Sequence, residues 1–225
     1  MAVLTNPALS NQAEVDGNKA LRIVPRHLDH GSNGHYMYAG FTGILPAALG
    51  ANSEIYQFRW TSGSAVALIR RIRISAAVST TFFAAGVPVQ VDMVRSTSWT
   101  AAGTGGTAIT PAALMRKRNV GGSMGDSAVA SGDMRIATTA ALGAGTKTLD
   151  TLSMSSIAAP GPITASLNGQ IIPPGTILFE CEVGDGDYPL TMAQNEGFSI
   201  RSVAVPATGT WTAAITVEWI EMASY

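Results

Sequence analysis

The C-terminal stretch Gly197–Met222, GFSIRSVAVPATGTWTAAITVEWIEM, constrains the fold more than any other part of the chain. From Trp211 the alternation is regular. Trp211, Ala213, Ile215, Val217 and Trp219 share one face of an extended segment; Thr212, Ala214, Thr216 and Glu218 share the other. Successive side chains of a strand point to opposite faces, so a period of two with tryptophans on the apolar side predicts a half-buried antiparallel strand. The Pro206–Gly209 turn before it makes the segment a strand–turn–strand unit, a closing element of an all-β domain.

The same alternation recurs upstream. In EIYQFRW, Tyr56, Phe58 and Trp60 alternate with Gln57 and Arg59. In AVALIRRIRIS, Val66, Leu68, Ile72 and Ile74 fall on one parity, with Arg70 intruding, and Arg71 and Arg73 lie on the other. Adjacent Leu68 and Ile69 require cover on both faces at that end, or a bulge. PVQVDMVRS places Val89, Val91 and Met93 inward. Further strands are expected at Ala20–Val24, Met134–Thr138, Lys147–Leu149, Leu167–Ile172, Thr176–Val183, Tyr188–Met192 and Phe198–Val205. One helix is expected, with Thr110 as N-cap, Pro111 in the first turn, then AALMRKR, ending near Asn119 and Gly121.

These elements predict an all-β chain: an antiparallel β-sandwich or jelly-roll with long loops or arms and one short helix. Residues 1–34 read as an N-terminal arm. Residues 35–225 read as a single β domain carrying a loop-rich insertion at about 98–165, where Gly, Ala, Ser and Thr replace large apolar residues. Loops of that length are uncommon unless they serve a function or pack on something.

Charge narrows the partners. Only 13% of the 225 residues are charged and the formal net charge is -1, so no electrostatic footprint for nucleic acid or an anionic membrane is present. No stretch is long and apolar enough for a spanning helix, and Met1–Asn11 lacks the basic and apolar regions of a signal peptide. The single cysteine, Cys181, excludes an intramolecular disulfide and reads as a small buried hydrophobe in ILFECEV.

Chemistry-bearing motifs are few. Gly121-Gly122-Ser123-Met124-Gly125 satisfies G-x-S-x-G, but a nucleophile elbow needs a buried strand before the serine, a helix after it and a later histidine. Here Arg116-Lys117-Arg118 precedes it, and His27, His30 and His35 all lie upstream, so the match is fortuitous. The arm histidines, with Asp29, read as solvated loop residues; the sharper alternative is a metal shared by His27, His30 and His35 on a symmetry axis. Asp185-Gly186-Asp187 reads as a hairpin turn, because it lacks the further ligands of a calcium loop. Arg116–Arg118 complements the end of the expected helix. No catalytic residue, cofactor site or metal site is assigned, and the expectation is that the chain is not an enzyme.

Two stretches carry a resemblance. Arg135–Asp150 (RIATTAALGAGTKTLD) and Pro189–Arg201 (PLTMAQNEGFSIR), continuing through PATGTW to VEWIE, resemble a family of structural proteins of tailed bacteriophages. The resemblance implies a virion protein of the capsid decoration or cement class: β-sandwich or jelly-roll subunits, often trimers, that brace the outside of the shell. The implied partners are further copies of the chain, in a homotrimer, and the major capsid protein, with neither membrane nor direct nucleic-acid contact and with no cofactor. The implied location is the capsid surface of a virion assembled in the bacterial cytoplasm. The alternative is a tail or baseplate module recognising host surface glycan, for which Trp60, Trp99 and Tyr225 are the candidate aromatics.

Overall fold

The computed structural model describes residues 4–6, 11–13, 34–84, 87–110, 115–117, 126–160, 169–181, 190–205 and 207–223. The strands, in chain order, are β1 (Leu4–Asn6), β2 (Asn11–Ala13), β3 (Gly34–Phe41), β4 (Leu45–Pro46), β5 (Ser53–Trp60), β6 (Val66–Val78), β7 (Pro88–Ala101) and β8 (Thr107–Ile109). They continue as β9 (Met115–Lys117), β10 (Met134–Ile136), β11 (Thr146–Leu149), β12 (Ser155–Pro160), β13 (Gln170–Glu180), β14 (Leu190–Met192), β15 (Glu196–Ala204) and β16 (Thr210–Met222). No helix occurs among the described residues. The expected strand Ala20–Val24, the Ser123 motif, the Asp185–Asp187 turn, Arg118, His27, His30 and Tyr225 lie outside them.

Two seven-stranded antiparallel sheets pack face to face, which makes the fold a β-sandwich. The first sheet runs β11-β7-β15-β5-β10-β8, with β12 also on β7; the second runs β13-β6-β16-β3-β9, with β14 on β6 and β4 on β16. Strands β1 and β2 pair with each other. The core is the apolar layer between the sheets. Trp211, Ala213, Ile215, Val217 and Trp219 of β16 and Tyr56, Phe58 and Trp60 of β5 all lie in it, as their alternation predicts. Its centre is aromatic: Phe58 stacks on Phe198 at 5.3 Å between ring centroids and meets Trp219 edge-on at 5.4 Å. Rings with a negative face and a positive edge favour these offset and T-shaped geometries.

Strand β6 resolves the intruding arginine. Glu218 of β16 pairs with Arg71 and the next residue, Trp219, pairs with Ile69, so Arg70 is an extra residue in the ladder. This bulge inverts the faces beyond it. The inward residues are Ala67, Ile69, Ile72, Ile74 and Ala76. The shared parity of Val66 and Leu68 with Ile72 and Ile74 is broken by the bulge that adjacent Leu68 and Ile69 allow for, and Leu68 is buried on the opposite face, paired with Ile220. The bulged Arg70 carbonyl accepts the Cys181 backbone N–H, where the neighbour of β6 changes from β13 to β14. Cys181 itself is buried.

Two further expectations are corrected. Met115–Lys117, expected within a helix, is a strand paired with His35–Met37; the edge of β3 offers backbone donors and acceptors that local helix propensity cannot outweigh. Of Leu167–Ile172 and Thr176–Val183, expected as two strands, the described parts from Gln170 to Glu180 form one strand, β13, whose register against β6 shifts between Ile172 and Thr176. Pro173 and Pro174 have no N–H to contribute there. The chain humps over them instead, with Gly175 at φ +78° and the Thr176 hydroxyl donating to the Pro173 carbonyl at 2.8 Å.

Candidate functional site

The outer faces of the two sheets differ, and the difference follows from the connections. From β10 to β11 the chain passes across the outer face of the first sheet: Leu142 N–H donates to the Glu54 carbonyl, and Thr146 reaches the far edge on Ala101. The β7–β8 connection lies against this segment, with Thr104 and Gly143 forming a bridge. Close layering requires glycine. A Cβ on Gly103 would collide with the Gly143 carbonyl and the Gln57 side chain, which gives the Gly/Ala richness of this region a packing role.

Beneath these segments lies a buried polar seam. A bulge at Ile55, where Tyr56 pairs with Ile200 and Glu54 with Arg201, brings Glu54 onto the same face as Gln57. Glu54 Oε2 accepts three donors: Lys147 Nζ at 2.5 Å, Gln57 Nε2 at 2.6 Å and Ser199 Oγ at 2.8 Å. Lys147 lies at the β11 irregularity, which directs its side chain over the sheet, and its Nζ sits 3.9 Å from the centre of the Trp99 ring. Burial pushes the Lys147 ammonium below the usual lysine range, while the Glu54 hydrogen bond and charge oppose the shift.

Next to it, Arg201 clamps Asp92 with two hydrogen bonds, Nε to Oδ1 at 3.0 Å and an η nitrogen to Oδ2 at 2.6 Å. The Ser153 hydroxyl also donates to Asp92. The Asp92 carboxylate raises the Arg201 pKa further above its already high value. A fork-to-fork pair of this kind is strong and directional.

Among the described residues, the outer face of the second sheet is covered around Leu68 and Ile220 and open around Phe41. Along its strands Ala214, Thr212, Ser75 and Ala77 form a floor of small side chains, with Phe41 on one side and Gln170, Ile172 and Pro174 of β13 on another. They enclose a shallow hollow of about 130 Å³. Phe41 is 76% exposed at its rim, and Ile177, farther along β13, is also exposed. At the other end of the face polar side chains are paired: Arg71 with Glu180, and His35 Nε2 with Glu218 at 3.0 Å.

The residues singled out in the sequence do not converge. His35 is engaged with Glu218, and among the described residues no cluster of three or more His, Cys, Asp or Glu is placed to hold a metal. Trp60 and Trp99 are both fully buried: Trp60 donates its indole N–H to the Ala65 carbonyl and Trp99 to the Ala101 carbonyl. Neither offers a ring to a sugar. Sequence reading missed the Glu54–Gln57–Lys147–Ser199 seam. Its members come from three strands distant in sequence, and the bulge at Ile55 breaks the parity that would have grouped Glu54 with Gln57. Compared with models of known protein families, with curated proteins and with solved structures, the chain matches none.

Proposed function

We propose that this chain is a non-catalytic structural protein of a tailed-bacteriophage virion, a decoration or cement protein that binds and braces the outer surface of the capsid as a homotrimer. The observation that carries the reading is the patch around Phe41 on the outer face of the second sheet, open among the described residues, with small side chains, a shallow hollow and a protruding Phe41. A surface of this kind seats against another protein through shape and apolar contact. The stretches that resemble phage structural proteins contribute β10, β11, β14, β15 and β16, so the likeness covers parts of both sheets.

Contacts that are individually weak become strong when an oligomer engages repeated lattice sites at once. The strongest ion pairs lie buried in the seam, and the net charge is -1, so added salt has few exposed pairs to screen and weakens attachment only modestly. The glycan-binding alternative loses two of its three candidate rings, because Trp60 and Trp99 are buried.

The test is direct. Purified protein added to undecorated capsids should bind saturably and raise the temperature at which particles rupture, since it binds the intact state preferentially. Phe41→Asp should weaken binding while leaving the fold intact. Localisation of the protein to the tail tip, with binding to host glycan, would replace this reading with the recognition-module one.

A further inference from the structure

We propose that Lys147 and Gln57 join in an intramolecular isopeptide bond in the folded protein, with Glu54 carrying the proton between the two nitrogens. The inference stands on the seam alone and is independent of the capsid reading.

Glu54 Oε2 is shared by Lys147 Nζ and Gln57 Nε2 at 2.5 and 2.6 Å, so the amine lies within two hydrogen-bond lengths of the carboxamide nitrogen. The Lys147 and Glu54 side chains are only 2% and 6% exposed. Gln57 is held in place: its amide nitrogen also donates to the Gly143 carbonyl at 3.0 Å, whereas its buried Oε1 has no partner among the described residues. Covering segments keep bulk water away, and burial favours the neutral amine, the nucleophilic form. An amine and an acyl group held on one carboxylate oxygen react without the entropic cost of encounter once Nζ closes on Cδ.

The step balances without an oxidant or co-reactant. Lys147 passes a proton from its ammonium to Glu54, and the free Nζ attacks Cδ of Gln57, moving the carbonyl electron pair onto Oε1. Glu54 delivers its proton to Nε2. The Cδ–Nε2 bond breaks as the carbonyl re-forms, and the remaining proton on the former amine leaves through Glu54 with the departing nitrogen. One lysine ammonium and one carboxamide become one secondary amide and one ammonium ion. The bond would staple β5 to the segment crossing above it.

Intact-mass measurement of the denatured wild type decides the matter. The expected result is a deficit of roughly 17 Da, the mass of ammonia, together with a tryptic peptide in which the Gln57 and Lys147 fragments are joined and cleavage after Lys147 is lost. Lys147→Arg should restore the full sequence mass, and so should Glu54→Gln that still folds by circular dichroism. A full-mass wild type overturns the proposal, as does a deficit that persists in Lys147→Arg. A deficit of roughly 18 Da overturns the assignment to Gln57, since lysine condensing with a carboxylate loses water. Persistence of the cross-link in folded Glu54→Gln overturns the proton-carrying role of Glu54.

Discussion

The indole N–H of Trp219 donates to Glu221, two residues along the same strand, at 3.0 Å, and both side chains are buried. The ring lies between Tyr36, stacked at 5.9 Å, and the edge-on Phe58. Trp219→Ala should therefore empty a large aromatic site and cost about 3–5 kcal/mol, read as a lower denaturant midpoint at unchanged slope. A loss under about 1 kcal/mol would mean that the neighbouring rings collapse into the space.

Glu221 gives a pH signature. Burial raises its pKa, opposed by hydrogen bonds from the Ser127 hydroxyl, the Ala128 N–H and the Trp219 indole. A carboxyl whose folded pKa exceeds its unfolded one makes the folded state bind the extra proton. Stability from this group therefore rises as pH falls from the raised folded value to the ordinary carboxylate value, and is lost as pH climbs back. The stability difference between wild type and Glu221→Gln should move in favour of the wild type on acidification through that window, then level off. Urea titrations of both proteins at a series of pH values measure it; a shift in the opposite direction would mean that the hydrogen bonds outweigh burial.

The Asp92–Arg201 clamp should behave as a buried pair. Arg201→Met leaves the Asp92 carboxylate buried with the Ser153 hydroxyl and should cost about 3–5 kcal/mol. Asp92→Leu combined with Arg201→Met should recover most of that loss, since no uncompensated charge remains. A double variant as unstable as the single one would show that the pair also sets the strand register.

Tyr56 offers the reverse case. Among the described residues its buried hydroxyl has no hydrogen-bond partner, and burial, with Tyr38 nearby, pushes its pKa well up. Tyr56→Phe removes a polar group that lost water without gaining a partner. Thermal unfolding should show stability unchanged or raised by about 1 kcal/mol. A clear loss would reveal a water on that hydroxyl.

The sandwich was legible wherever the period of two ran unbroken, as in Trp211–Trp219 and Tyr56–Trp60. It misled where an extra residue entered the ladder. Arg70 in β6 and Ile55 in β5 each shift the faces by one; adjacent Leu68 and Ile69 signal the first, whereas no local composition marks the second. Met115–Lys117 has good helix formers, and only the partner strand at His35–Met37 decides its state. The seam was hidden for a related reason: Glu54, Lys147 and Ser199 meet only because the Ala137–Gly145 passage lies over the sheet.

The hump at Pro173 and Pro174 has a consequence for molecules crowded side by side. A strand at the border of a sheet invites a neighbour to continue the hydrogen-bond ladder, and such growth fuses molecules into fibrils. On β13 that invitation is interrupted mid-length, because two successive residues have no hydrogen to give and the chain arches away from the sheet line. A second copy approaching this border finds no continuous track to zip onto. At high concentration, fibril growth along this border is therefore disfavoured.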